Sequence, residues 1–262
     1  EGQGQYRLTG TKRFSTGSAV GDALLVTAAA RGGARDGQLA FLVLQNGHQG
    51  VEYLSDWDHL GQRLSSSNSV RYHDVRVEAS DILGWLTDDA FASLITPGIQ
   101  LAFGNLYLGI AEGALARGRE ITNARKNAWF LSKSTQYRND PFIQRTYGEF
   151  VARVAALAAL AERVNHRFDE VVGQGHAVTA ELRGALEIEV AQLKVVATET
   201  ALDVAHRIYE TTGSSSTASG VGLDLYWRNV RTHSLHDPVD YKKLEVGAHY
   251  LNGALQPVSL YT

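Results

Sequence analysis

The sequence predicts an α+β fold: an antiparallel β-sheet or small barrel over residues 1–92, followed by an antiparallel helical bundle over residues 93–262. Three observations carry that expectation. Before residue 92 the chain runs in short segments rich in Val, Leu, Phe, Tyr, Thr and Ser, punctuated by Gly and Asn. After it, apolar residues recur every three or four positions over long stretches. The 262 residues are 44% hydrophobic and 20% charged, enough to bury a core in one large or two small domains.

Residues 5–16, 23–31, 38–45 and 68–77 read as strands. β-Branched and aromatic side chains suit a pleated surface, and the GGARDG and QNGHQG runs between them supply turn residues. In SVRYHDVRV, strict alternation puts Val70, Tyr72, Asp74 and Arg76 on one face and Arg71, His73, Val75 and Val77 on the other. Neither face is wholly apolar, which predicts a strand at an edge or interface.

The first helix is expected from about Pro97, whose missing N–H is harmless in a first turn, to a break near Lys126-Asn127. The second carries the stripe Phe150, Val154, Leu157, Ala161, Val164, Phe168 and Val171, between Asp140-Pro141 and the glycines at 173 and 175. A third is expected over 179–212, where Leu186, Val190, Leu193, Ala197, Thr200, Val204 and Ile208 repeat in the same way. Thr179 and Leu182 straddle its start, with Glu181 favourable in the first turn. Shorter helices follow near 223–233 and 239–251, the last opened by Asp237 as N-cap and Pro238 as first residue. Small-residue runs such as AALAAL and GIAEGALARG let helices approach closely.

A net charge of −3 and a pI of about 6.3 provide no basic field, so neither nucleic acid nor an anionic membrane is expected as partner. The longest fully apolar runs are far shorter than the roughly 20 residues of a membrane span. With no Cys, thiol nucleophiles, disulfides and zinc–thiolate sites are excluded. The chain opens EGQGQY and has no Met, so residue 1 is expected to be an internal point of a longer gene product.

The densest polar run is Arg228-Asn229-Val230-Arg231-Thr232-His233-Ser234-Leu235-His236-Asp237-Pro238. His233 and His236 are spaced to share a helix face, His can carry a proton near neutral pH, and Arg can hold anions. The plainer alternative is a capping Asp237 with solvated arginines. Residues 8–22, LTGTKRFSTGSAVGD, bring Ser15, Thr16 and Ser18 around Gly17 at a strand end, suited to a polar ring or phosphate, or to an ordinary turn. Gly213-Ser214-Ser215-Ser216-Thr217 could bind phosphate or simply close a helix, and Arg125-Lys126 could do no more than compensate a helix dipole. No GxGxxG after a strand, Walker loop, GxSxG elbow or di-iron Glu-x-x-His appears, and no metal site is expected.

LTGTKRFSTG in the sheet region, with LGIAEGAL, YGEF and WRNVRTHSLHDP in the helices, resembles the acyl-CoA dehydrogenase superfamily. Within it the resemblance is to the flavin-dependent monooxygenase branch, of the dibenzothiophene monooxygenase type. It covers essentially the whole chain and implies that family's middle β domain and C-terminal four-helix domain, without its N-terminal helical domain. Dehydrogenases of the superfamily use a Glu base. One family position for it falls here at His236-Asp237-Pro238-Val239 and the other near Ile99-Gln100, and neither carries Glu.

The resemblance implies an oxidoreductase in which reduced FMN, supplied by a separate NADH-dependent flavin reductase, forms a flavin hydroperoxide. One oxygen atom then passes to sulfur or nitrogen of a small apolar, aromatic substrate. It assigns His236, with His233, Asp237 and Thr16, to catalysis. It assigns Ser15, Thr16, Arg125, Ser214 and Ser215 to the cofactor, and Trp57 and Phe103 to the substrate pocket. It further implies a cytoplasmic homotetramer. The alternatives are a flavin dehydrogenase or oxidase holding FAD and using Asp237 as base, or an inactive truncated homologue.

Overall fold

The computed structural model describes residues 4–86 and 89–262 and divides the chain into two compact units, Glu1–Asp88 and Asp89–Thr262. The fold is α+β. In the first unit, β1 (Gln5–Ser15), β5 (Asn68–Glu78) and β4 (Val51–Tyr53) form one three-stranded antiparallel sheet. β2 (Ala23–Ala29), β3 (Leu39–Gln45) and β6 (Ile82–Trp85) form a second. One core joins the two sheets: Leu24, Val26, Leu42 and Leu44 meet Val70, Tyr72, Val75 and Val77. The short strands β4 and β6 escaped the sequence reading because three or four residues are too few to show alternation.

Of the two expectations for residues 68–77, an edge or an interface, the edge is corrected. β5 is central, between β1 and β4. Asp74 adopts a left-handed φ of 51°, and the register slips between Leu8 and Gly10 of β1. Two residues of β5, His73 and Asp74, thus oppose Thr9 alone, which is a β-bulge. The bulge resets the alternation, so Val70 and Tyr72 before it and Val75 and Val77 after it all point into the core.

The second unit is built from α1 (Ile95–Ala124), α2 (Pro141–Val172), α3 (Ala180–Arg207), α4 (Tyr209–Thr212), α5 (Asp224–His233) and α6 (Val239–Asn252). α2 begins where Asp140 accepts N–H bonds from Phe142 and Ile143, with Pro141 in the first turn. α3 begins where the Thr179 side chain accepts from the Leu182 N–H. Contacts fix the directions. Asn105 meets Asn165 and Thr122 meets Tyr147, so α1 and α2 are antiparallel. Arg163 meets Glu189 and Arg153 meets Asp203, so α2 and α3 are antiparallel. Lys243 meets Glu199 while Leu255, just past α6, packs at Gly184, so α6 runs antiparallel to α3. At Gly118 of α1, an added Cβ would lie 2.6 Å from Ile208, so only glycine permits this approach.

α3 buries more than its predicted stripe. Arg183, Glu187, Ile188, Ala191 and Lys194 are also shielded, because α1, α2, α5 and α6 all pack on this helix. Its second buried face is ionic: Lys242 of α6 donates to Glu187 and to Glu245, at 2.8 and 3.0 Å, and to the Tyr261 carbonyl. The helix expected over 179–212 breaks at Ile208 into α3 and α4. Residues 92–124 are long and apolar enough to cross a bilayer by length and composition. Here Tyr107, Ala111 and Ala114 of that stretch are fully buried in the helical core.

Candidate functional site

The helical unit gathers the histidine run against two helices. α5 ends at His233, and residues 234–238 turn the chain into α6. Asp237 does not cap α6, contrary to the expectation from its place before Pro238. The N-cap is Pro238 itself, without a side-chain bond, and the Asp237 carboxylate turns inward. Its Oδ2 accepts a short hydrogen bond from Lys194 Nζ, and its Oδ1 lies 3.2 Å from His236 Nδ1. Lys194, on α3, also donates to Gln100 Oε1 of α1 at 2.5 Å. Phe103, one turn along α1 from Gln100, meets both imidazoles edge-on, at centroid distances of 4.6 Å to His233 and 4.9 Å to His236. The Tyr107 hydroxyl lies 3.0 Å from His233 Nδ1 and donates to the His233 carbonyl.

These contacts set charge states. Burial pushes the Asp237 carboxyl up, but the hydrogen bonds from His236 and Lys194, with the charge of Lys194, outweigh it and hold the group down at about 2. His233 is pushed down to about 4, first by burial and then by the positive field of His236 and Lys194, so its ring is neutral at pH 7. Burial raises Tyr107 above its ordinary value and keeps it a neutral hydroxyl. The result is an ionised, shielded carboxylate behind a half-exposed His236 ring, with a neutral His233 6.0 Å away.

The sheet unit gathers the hydroxyl run differently. Thr16 Oγ1 lies 2.9 Å from Ser67 Oγ, which lies 2.7 Å from Ser65 Oγ, and the Gly17 N–H donates to the Ser65 carbonyl. Ser15 pairs with Asn68 at the end of the β1–β5 ladder. The Asn68 side chain accepts the Trp57 N–H, and Trp57 Nε1 donates to the Gln62 carbonyl. The Trp57 ring stacks on His59 at 3.9 Å, with the exposed Phe14 edge-on to both. Phe14, Ser55, Gln62 and Ser66 all take left-handed φ values between 49° and 59°, a concentration of backbone strain at the end of β1 and between β4 and β5.

A third group lies at the far end of α1. The Arg125 guanidinium donates to the Thr212 carbonyl at 2.7 Å and stacks over Tyr137. It rests against Gly213, where a Cβ would meet it at 1.9 Å, beside the exposed Ser214 and Ser215. Along α1, Arg125 is about 33 Å from Phe103 at 1.5 Å per residue.

The structure therefore brings His233, His236, Asp237 and Phe103 together, and Ser15, Thr16 and Trp57 together. It places Arg125 beside the Ser214–Ser215 loop, remote from the histidines of the same chain. Lys194 escaped the sequence reading. Its one signal was a lone cation inside the apolar run QLKVV of a core helix.

This fold and these sites define a class. Residues 101–241 match the family described as acyl-CoA dehydrogenase, C-terminal domain, and the chain belongs to that family. Over 260 residues it is 38% identical to dibenzothiophene monooxygenase of Rhodococcus erythropolis, covering 95% of this chain and 62% of that protein. It is 36% identical to the probable FMNH2-dependent monooxygenase SfnC of Pseudomonas putida, covering 99% of this chain and 66% of SfnC. The crystal structure of FMN-bound TdsC from Paenibacillus sp. A11-2 superposes with a TM-score of 0.94 at 39% identity, over 100% of this chain and 68% of that one. The chain thus spans about two thirds of the length of the relatives it matches.

Proposed function

We propose that the protein works as a reduced-FMN-dependent monooxygenase, transferring one oxygen atom to sulfur or nitrogen of a small apolar, aromatic substrate. The observation that carries this reading is the locked carboxylate. A dehydrogenase of this superfamily needs a carboxylate free to remove a proton. Asp237 has one oxygen on Lys194 and the other facing His236, and is held down at about 2, far too acidic for an efficient base at pH 7. The other family position for the base falls near Ile99-Gln100, where Gln100 is an amide engaged by Lys194. This disfavours the FAD-dependent dehydrogenase or oxidase alternative. The monooxygenase activity of the relatives supports the same reading.

The residues fit FMN. The Arg125 guanidinium over Gly213, with the Ser214 and Ser215 hydroxyls, is a donor set for a phosphate. In the sheet unit Ser15 and Thr16 offer hydroxyls and Trp57 an apolar face; in the helical unit Phe103 offers an apolar face of its own. Bound reduced FMN would supply electrons and activate oxygen. His236 would accept a proton at Nε2 and pass it on, beside neutral His233 and the edge-on Phe103 ring. Because Arg125 and His236 are remote within one chain, the phosphate site and the histidines serve one flavin only across two copies. That supports the proposed homotetramer. A separate NADH-dependent flavin reductase would supply reduced FMN in the cytoplasm.

The test uses the full-length protein with flavin reductase, NADH, FMN and a thiophene-type probe under isotopic oxygen. We expect one labelled oxygen atom in the product, and a drop of about 10²–10⁴-fold in rate for His236→Ala. Full activity in His236→Ala removes the catalytic assignment. Reduction of bound FAD by an acyl-CoA, without oxygen incorporation, restores the dehydrogenase alternative.

A further inference from the structure

We propose that Lys194, held in place by Gln100, is a positioning residue that fixes the tautomer of His236 through Asp237. The inference rests on the proposed role of His236 and extends it to residues 43 and 94 positions away in sequence from their partners.

Lys194 sits among fully buried neighbours of α3, with only 1% of its side chain exposed. A cation there needs partners, and among the described residues it has two: the Asp237 carboxylate and the Gln100 amide oxygen. Gln100 matters by being neutral. A carboxylate at that position would compete for the Lys194 charge, whereas the amide orients the ammonium and leaves its charge to Asp237. An ionised carboxylate can only accept hydrogen bonds. Its second oxygen faces His236 Nδ1 at 3.2 Å, so Nδ1 must carry the proton. In the neutral ring, Nε2 is then the bare nitrogen, on the side away from Asp237. The other groups around the ring leave this assignment in place: Phe103 offers no hydrogen-bond partner, and His233 is neutral with its Nδ1 turned to Tyr107.

Removing the Lys194 charge reverses the sign of this device. Without its cation the buried Asp237 keeps only the His236 hydrogen bond to stabilise its charge, and its affinity for a proton rises. Once protonated it donates, His236 Nδ1 must accept, and the ring proton moves to Nε2. A proton acceptor facing outward would become a donor.

The test is nitrogen NMR of histidine-labelled full-length protein, at a pH where the ring is neutral, with the His236 signals assigned by their loss in His236→Gln. Wild type is expected to show a protonated Nδ1 and a bare Nε2. Lys194→Arg, which keeps the charge, should retain that pattern, and Lys194→Met should exchange the two nitrogens. Should Lys194→Met not fold, Lys194→Gln keeps a donor, loses only the charge, and carries the same expectation. A protonated Nε2 in wild type, or an unchanged Nδ1–H in a folded charge-free variant, overturns the proposal. The readout needs neither flavin nor turnover. A wrong tautomer therefore sinks this inference alone, and a correct tautomer with no oxygen transfer sinks the monooxygenase reading alone.

Discussion

The two polar centres of this protein are held by opposite means. In the helical unit, position is set by full charges out of water: Lys194 on Asp237, with both side chains at least nine-tenths buried. In the sheet unit it is set by neutral, partly buried hydroxyls and by backbone in the left-handed region, at Phe14, Ser55, Gln62 and Ser66. A buried charge pair tolerates almost no displacement, because each ion is costly without the other. A hydroxyl chain can exchange partners with water at little cost. The first design suits a group whose protonation must be fixed, and the second suits a surface that shapes itself to a ring.

The sharpest way to break this contrast is to remove one ion. Asp237→Ala leaves Lys194 buried and unpaired and should destabilise the helical unit by about 3–5 kcal/mol. The double change Lys194→Met with Asp237→Leu removes both charges and should recover most of the loss. Guanidinium midpoints for the two variants check this. If Asp237→Ala moves the midpoint no more than a surface substitution does, the pair is solvated and the contrast collapses.

A second, smaller effect follows from His233. Its ring is held near 4, against 6.5 in an unfolded chain, so between those values the unfolded chain binds a proton that the folded one refuses. The contribution of His233 is complete above pH 6.5 and is lost as pH falls towards 4. Allowing for its partial exposure, the loss is on the order of 2 kcal/mol. Asp237, lowered from 3.8 to about 2, adds a second loss below pH 3.8. Unfolding midpoints against pH should therefore fall in two steps, and His233→Phe should erase the upper step and leave the lower. A single acid transition in wild type would separate the imidazole from the buried cluster.

The two centres also differed in how far the sequence revealed them. The stripes of α2 and α3, their starts near Asp140-Pro141 and Thr179, and the histidine run were legible because each is written in neighbouring residues. Phe150, Val154, Leu157, Ala161 and Val164 are buried as their spacing required. Two things were not legible. One left-handed residue, Asp74, reset the alternation of β5, and such a reset has no periodic trace. Lys194 reads as a surface lysine until the fold sets Asp237 and Gln100 around it, since pairing across α1, α3 and the turn before α6 is a property of packing. Asp237 was misread for the same reason: beside Pro238 its local grammar is that of a cap, and the buried cation won the competition for its carboxylate.

The smallest effect sharpens the contrast most. Thr16→Val keeps the shape of the side chain and deletes the hydroxyl that meets Ser67 at 2.9 Å. Ser67 is buried but keeps the Ser65 hydroxyl at 2.7 Å, so stability should change by no more than about 0.5–1 kcal/mol. If that hydroxyl serves a flavin ring, affinity for reduced FMN in the full-length protein should weaken by roughly three- to tenfold, as one net hydrogen bond predicts. Fluorescence titration with FMN beside a guanidinium curve separates the two quantities. Loss of affinity at unchanged stability marks a surface kept for its ligand. Loss of stability at unchanged affinity would make the Thr16–Ser67 contact a structural tie and return the hydroxyl run to an ordinary turn.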